Sequence, residues 1–321
     1  MRLATFATTE VDQRPRVGVS MGATMLDLIE AARIASRNYA FSGRALRDVL
    51  ASGPGALDVV HELVGSARSD IGRFAAALHD LAAVRFLPPI PDPDKFLCVG
   101  KNYKTHLEEL KRTNLIREMP TEPTGFIKLN AALTGHDSDV VRPTTVTHLD
   151  YEPELVFVIG KAGSRIPADR AFEHVAGITL LNDLTCRDTQ LREVASGTRF
   201  WTAKNAPGFG PVGPYVVTMD EVGDPYDLWL SCRVNGETRM RVNTSEQLWK
   251  LPDIVAHFSR LIPLAPGDMF STGAPGGVAV GKPNAEELFL KPGDVVECVL
   301  ESPDLVLRNR IVASTDTTER T

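Results

Sequence analysis

The chain has few cysteines, few aromatics and no long apolar run, and each shortage narrows what it can be. Its four cysteines, Cys98, Cys186, Cys232 and Cys298, are scattered, with no pair at zinc-knuckle or redox spacing. Reduced, mostly buried thiols are therefore expected, not a disulfide scaffold. No apolar stretch approaches the roughly 20 residues that a membrane-spanning helix needs. The opening Met1-Arg2-Leu3-Ala4-Thr5-Phe6 lacks an apolar core followed by a cleavage site, so a cytoplasmic protein is expected. Positive charge is not in excess: 35 lysines and arginines stand against 41 aspartates and glutamates, a net charge of −6. That balance argues against a nucleic-acid partner. There is no H-E-x-x-H, which removes the helical zinc site.

What is present is an ordinary globular composition, 43% hydrophobic and 24% charged over 321 residues, enough to bury a core without staples. Strands are expected at 3–7 and 16–19, and helices at 25–34, 43–50, 56–64 and 74–81. Leu87-Pro88-Pro89-Ile90-Pro91-Asp92-Pro93-Asp94 cannot continue a helix or a central strand. It reads as the end of a small N-terminal domain (1–88) and a linker (89–94). A second, mostly β domain (95–315) follows, with a polar tail (316–321). Asn235-Gly236 predicts a tight hairpin, and 252–262 predicts a helix with Ile254, Val255, Phe258, Leu261 and Ile262 inward. The polar stretch 111–124 is long for a connection and reads as a mobile lid. The regular alternation of a Rossmann or TIM fold is missing.

The chemistry gathers in three places. Glu152 and Glu154 sit two apart on an extended segment, so both carboxylates point the same way, roughly 7 Å apart at Cα. Asp183 ends the next apolar run. A lone E-x-E is commonly just a solvated strand edge, but three carboxylates with no base among them suit a hard divalent cation. His106 and Glu109 share a helix face at i, i+3, as a surface pair or as a base whose tautomer a carboxylate holds. Lys204, in a loop rich in glycine and aromatics, is either a solvated lysine or a holder of a carboxylate or developing oxyanion. Arg187 and Gln190 could orient a substrate or the loop. Gly276 to Pro283 nearly spells a phosphate loop, but Pro283 supplies neither hydroxyl nor N–H, which excludes nucleotide binding.

Read together, these pieces resemble the fumarylacetoacetate hydrolase superfamily from about Phe96 to Val312. The carriers, in order, are Val99-Gly100-Lys101-Asn102-Tyr103 with His106 and Glu109, Tyr151-Glu152-Pro153-Glu154-Leu155, and Asn182-Asp183-Leu184-Thr185-Cys186-Arg187-Asp188-Thr189-Gln190. Lys204, Gly213-Pro214, Val234-Asn235-Gly236 and Thr272-Gly273-Ala274-Pro275-Gly276-Gly277-Val278 follow. The resemblance implies an α+β fold, a mixed β-sandwich roll usually found as a homodimer behind a variable N-terminal domain. It implies Glu152, Glu154 and Asp183 as ligands of Mg²⁺ (with Mn²⁺ or Ca²⁺ as alternatives). It further implies a water-activating His106–Glu109 pair and a charge-stabilising Lys204. Gln190, Tyr103, Arg187, Lys128 and Ala274 are placed beside these as substrate contacts. Two positions depart from the family pattern: Ala274 stands where Thr is frequent, and Lys101 where Arg is common, which loses the bidentate fork. The expected reaction is hydrolysis of a carbon–carbon bond in a 1,3-diketone or acylpyruvate-type oxo acid. Decarboxylase, isomerase or lyase chemistry, including that of sugar acids or ureidoglycolate, is the alternative, and a non-catalytic relative is the third reading.

Overall fold

A computed structural model describes residues 1–8, 14–36, 45–53, 55–112, 121–198 and 201–315. Most of the segment read as a lid, and the tail 316–321, lie outside the described residues.

One large sheet runs through the molecule. Its strands lie in the order Leu78–Asp80, Thr24–Asp27, Arg16–Met21, Arg2–Thr8, Gly210–Thr218, Val175–Asn182, Pro153–Ile159, Met269–Ser271, Phe96–Gly100 and Thr124–Ile127. Neighbours are antiparallel except Met269–Ser271 on Phe96–Gly100, which are parallel. The first strand of the chain pairs directly with Gly210–Thr218, Arg2 opposite Val217 and Leu3 opposite Val216. The sheet is therefore continuous across the proline-rich segment. A second sheet orders Glu237–Asn243, Trp229–Val234, Val295–Leu300, Leu305–Ala313 and Asp139–Arg142. Asn235 and Gly236, with φ of 53° and 80°, make the expected hairpin turn.

Alternation along the strands builds the layers. Leu155, Phe157 and Ile159 pack with Ile178, Leu180 and, from the second sheet, Leu230, Leu300 and Leu307. Val156 and Val158 face the other way, onto a core shared with Leu46, Val49, Val60 and Leu63 of the N-terminal helices. The result is helices, sheet and sheet in succession, the mixed α+β architecture expected. All four cysteines are buried and free. Among the described residues, no helix is long and apolar enough to cross a membrane.

Three local expectations fail, each for a physical reason. The helix expected from residue 25 starts only at Leu28, because Thr24–Asp27 pairs with Arg16–Met21. Asp27 then caps it, its carboxylate accepting from the N–H groups of Ile29 and Glu30. The expected helix over 74–81 is a 3₁₀ turn, Ala75–Ala77, followed by a short strand, which satisfies its backbone on Thr24–Asp27. The helix Leu251–Ser259 stops before Leu261, leaving that side chain 91% exposed instead of inward.

Candidate functional site

Backbone bonding brings the three carboxylates together. Pro153 opens the strand Pro153–Ile159, where its missing N–H takes nothing from the ladder. Just before it, the N–H of Glu152 donates to Asn182 Oδ1 at 3.0 Å, and the N–H of Asp183 donates to the Glu152 carbonyl at 2.8 Å. Glu152, Glu154 and Asp183 are all buried, and their ligand-capable oxygens lie within 4.8 Å of one another.

Such crowding has an electrostatic signature. Burial, then the facing carboxylates of Asp183 and Glu152, push the Glu154 carboxyl well above its ordinary value. Burial acts the same way on Glu152, but Lys204 and Arg187 outweigh it and hold that carboxyl below its ordinary value. The Lys204 ammonium lies between the acids. It contacts Glu152 Oε2, lies 2.5 Å from Asp183 Oδ2 and donates to Thr185 Oγ1 at 2.8 Å. Burial would lower the Lys204 pKa, but Asp183 and Glu152 prevail and raise it. A cation held by this cluster is thus already on view. An all-oxygen, anionic donor set of this kind fits a hard divalent ion.

The cleft over the triad is lined by His106, Gln190, Lys204, Lys101 and Ala274, with Val99, Phe126 and Val194 as apolar wall. His106 lies on the helix Lys104–Arg112, and its Nδ1 is 3.3 Å from Glu109 Oε2. The other Glu109 oxygen accepts the N–H of Gly277 at 2.8 Å. A side chain at Gly281 would collide with Glu109, its Cβ falling 2.5 Å from the carboxyl carbon. Lys101 occupies the left-handed region at φ 62°, at the turn from the strand Phe96–Gly100 into the site.

Three of the expected substrate contacts lie behind the cleft instead. Tyr103 is 1% exposed, and its hydroxyl accepts from Gln247 Nε2 at 3.0 Å. The Lys128 ammonium is buried on the Asp183 carboxylate and the carbonyls of Lys204 and Phe209. Arg187 is buried between Asp150, at 2.8 Å, and Glu152, at 2.7 Å. Its Nη1 donates to Gln190 Oε1 at 2.8 Å. Gln190 and Ala274 do reach the cleft.

Two further residues carry weight that the sequence did not assign. Ser271 donates its hydroxyl to Glu154. Asp150 receives Arg187 and two backbone N–H groups from the 277–281 loop. Its position two residues before the E-x-E was the available signal.

A mixed sheet sandwich with a buried carboxylate triad of a kind that fits a divalent cation, and with His106 in the same cleft backed by Glu109, points to a class of oxygen-ligand metal-site folds. The C-terminal domain of fumarylacetoacetate (FAA) hydrolase matches residues 95–312, and the chain belongs to that family. It is 40% identical over 229 residues to the human mitochondrial oxaloacetate tautomerase FAHD2A, spanning 71% of this chain and 70% of the relative. With the mitochondrial oxaloacetate tautomerase of Xenopus laevis it shares 33% over 303 residues, 94% of this chain and 87% of that one. Among solved structures, fumarylacetoacetate hydrolase from Exiguobacterium antarcticum superposes with a TM-score of 0.75 at 29% identity. The 5-carboxymethyl-2-hydroxymuconate delta-isomerase from Mycobacterium smegmatis does so at 0.70 and 27%. Each covers 98% of this chain and 100% of its own. The mitochondrial relatives overturn the cytoplasmic expectation drawn from the N-terminus.

Proposed function

We propose that this chain is a divalent-cation-dependent tautomerase of a short 2-oxo dicarboxylic acid of the oxaloacetate type. The observation that carries the reading is the pairing of one proton-transfer group, His106 backed by Glu109, with the carboxylate triad in a single cleft. A keto–enol shift needs little more than that inventory: a base that carries one proton, and a positive centre at the carbonyl. Identity of 40% to an oxaloacetate tautomerase supports it. One fold accommodates both a hydrolase and an isomerase, so the fold alone does not choose between them.

Glu152, Glu154 and Asp183 would hold the ion, with Mg²⁺ the expected occupant and Mn²⁺ or Ca²⁺ suited to the same oxygens. Bound there, a divalent cation supplies Lewis acidity toward the substrate carbonyl. Glu109 takes up Nδ1 of His106 and leaves Nε2 as the working atom. His106 removes the proton from the carbon beside the carbonyl and returns it at the enol oxygen, so that one C–H bond breaks and one O–H bond forms. The Gln190 carbonyl is spent on Arg187, which leaves its amide N–H groups for a substrate carboxylate. Four buried carboxylates, Asp150, Glu152, Glu154 and Asp183, face three buried cations, Lys128, Arg187 and Lys204. With Glu154 ionised on the metal, these side chains sum to one negative charge, which a divalent ion turns into one positive charge, suited to an anionic substrate.

Hydrolysis of an acylpyruvate is the second reading, favoured by the fitness of the same His106–Glu109 pair for activating water. One experiment separates them. The protein with Mg²⁺ or Mn²⁺ is given enol-oxaloacetate, followed by loss of enol absorbance and by deuterium entry at C3 in D₂O. A parallel reaction offers acylpyruvates and follows pyruvate release. Tautomerisation that disappears in His106→Ala and in EDTA is the expected result. Pyruvate release from acylpyruvates, with enol conversion at the buffer rate, would overturn the proposal in favour of hydrolysis.

A further inference from the structure

Asp150 stands outside the ligand triad, yet it is fully buried and bonded both to Arg187 and to the turn at Ala279 and Val280. Its Oδ1 accepts the N–H groups of Tyr151 and Ala279, both at 2.9 Å. Its Oδ2 accepts the N–H of Val280 at 3.0 Å and Arg187 Nε at 2.8 Å. One carboxylate therefore holds two separate structures. The first is Arg187, whose remaining nitrogens reach Glu152 and Gln190. The second is the short turn Ala279–Gly281, the end of the loop on which Glu109 rests. That loop donates the N–H of Gly277 to Glu109, and its Gly281 leaves room for the same carboxyl.

We propose that Asp150 is a positioning residue that couples the metal half of the site to the proton-transfer half. Through Arg187 it orients one triad carboxylate, Glu152, and the cleft amide of Gln190. Through the N–H groups of Ala279 and Val280 it fixes the bed of Glu109 and thus the direction of His106. A buried carboxylate with four donors cannot rotate without orphaning some of them, so both halves are held in one register. An ion-pair partner alone would need neither the Ala279 nor the Val280 backbone bond. A remote helix cap alone would not need Arg187. The inference rests on the proposed metal-dependent proton transfer for its consequence in catalysis, but its first readout is metal binding without substrate.

The test uses Asp150→Asn, with Arg187→Lys as a variant that keeps a buried cation yet cannot span Asp150, Glu152 and Gln190 at once. Outer-shell partners of metal ligands typically change affinity by about 10–100-fold. Mn²⁺ titration calorimetry is expected to show a loss of that size in both variants. The pH profile of kcat/KM is expected to shift in Asp150→Asn, because Glu109 loses its fixed bed, whereas Arg187→Lys should leave the profile in place. Asp188→Asn, on the same helix as Arg187 but paired with His148, is the control and should keep wild-type Mn²⁺ affinity. Should Asp150→Asn fail to fold, Arg187→Lys carries the affinity measurement. Wild-type Mn²⁺ affinity in a folded Asp150→Asn or in Arg187→Lys overturns the proposal, as does a wild-type protein that binds no Mn²⁺. If the affinity losses appear but enol-oxaloacetate is not converted by the wild type, the substrate reading falls and the positioning role stands.

Discussion

The Lys204 ammonium and the Asp183 carboxylate meet at 2.5 Å within a ring of buried acids. This places a monovalent cation against two of the three carboxylates expected to bind a divalent one, and it makes Lys204 structural as well as chemical. In Lys204→Met, Glu152 and Asp183 lose their shared counter-charge. Breaking a buried pair by removing one partner costs roughly 3–5 kcal/mol. Lys128 and Arg187 still face the same acids, so the lower end, about 3 kcal/mol, is expected by urea unfolding in EDTA. Saturating Mg²⁺ should recover part of the loss. Unfolding indistinguishable from wild type in EDTA would show that the ammonium contributes nothing to the apo fold.

Glu154 makes the opposite case. Burial and its two neighbouring acids raise its carboxyl, so without metal the folded chain holds a proton there that the unfolded chain has already released. Stability from this group therefore falls as pH climbs out of the ordinary carboxylate range toward the raised value. Glu154→Gln replaces the neutral form. In EDTA at pH 7 it should melt at or above the wild-type temperature, while Mn²⁺ affinity drops at least about tenfold. Lower thermal stability together with intact affinity would place Glu154 outside the metal set.

His148 sets a second, independent pH dependence. Its Nδ1 lies 2.5 Å from Asp188 Oδ1 and its Nε2 3.0 Å from Glu286 Oε2, with the Phe289 ring 4.8 Å away. The Asp188 hydrogen bond, aided by Glu286, raises the imidazole pKa above its ordinary 6.5. The stabilisation is thus complete below about pH 6.5 and is lost as pH rises through the raised value. Denaturant midpoints measured across pH 6 to 9 should decline more steeply for the wild type than for His148→Gln. Parallel slopes would remove His148 as the source.

Much of this site was legible in the residues, and the part that was not has a common cause. Pattern reveals which groups a strand offers, as with Glu152 and Glu154 before an unbroken apolar run. It does not reveal which side of an edge strand is the wet one. Ile127-Lys128-Leu129 by alternation places either the lysine or its neighbours outward. Ile127 and Leu129 are 39% and 40% exposed, and Lys128 is buried, because the Asp183 carboxylate and the carbonyls of Lys204 and Phe209 receive its ammonium inside. Arg187 follows the same logic: Asp150, 37 residues away in sequence, holds it inside. Leu261 and the 24–27 strand show the converse, where an apolar periodicity matched a helix that tertiary pairing or an early stop did not allow.

Gly281 offers the most selective cut through the proton-transfer half. Its φ is not in the left-handed region, so alanine is compatible with the backbone, and the three atoms nearest the added Cβ all belong to the Glu109 side chain, the carboxyl carbon at 2.5 Å. The Glu109 side chain can give way where a backbone could not, so the fold should hold and the triad, on other segments of the chain, should be untouched. What moves is the 3.3 Å contact with His106 Nδ1. Gly281→Ala is therefore expected to keep Mn²⁺ affinity and melting temperature close to wild type. Its kcat should fall about tenfold, less than the roughly 10²–10⁴-fold that general acid–base catalysis supplies when the base itself is removed. A variant with full kcat would show that Glu109 does not hold His106 in its working orientation. Weakened Mn²⁺ binding would show instead that the two halves are coupled through Glu109 as well as through Asp150.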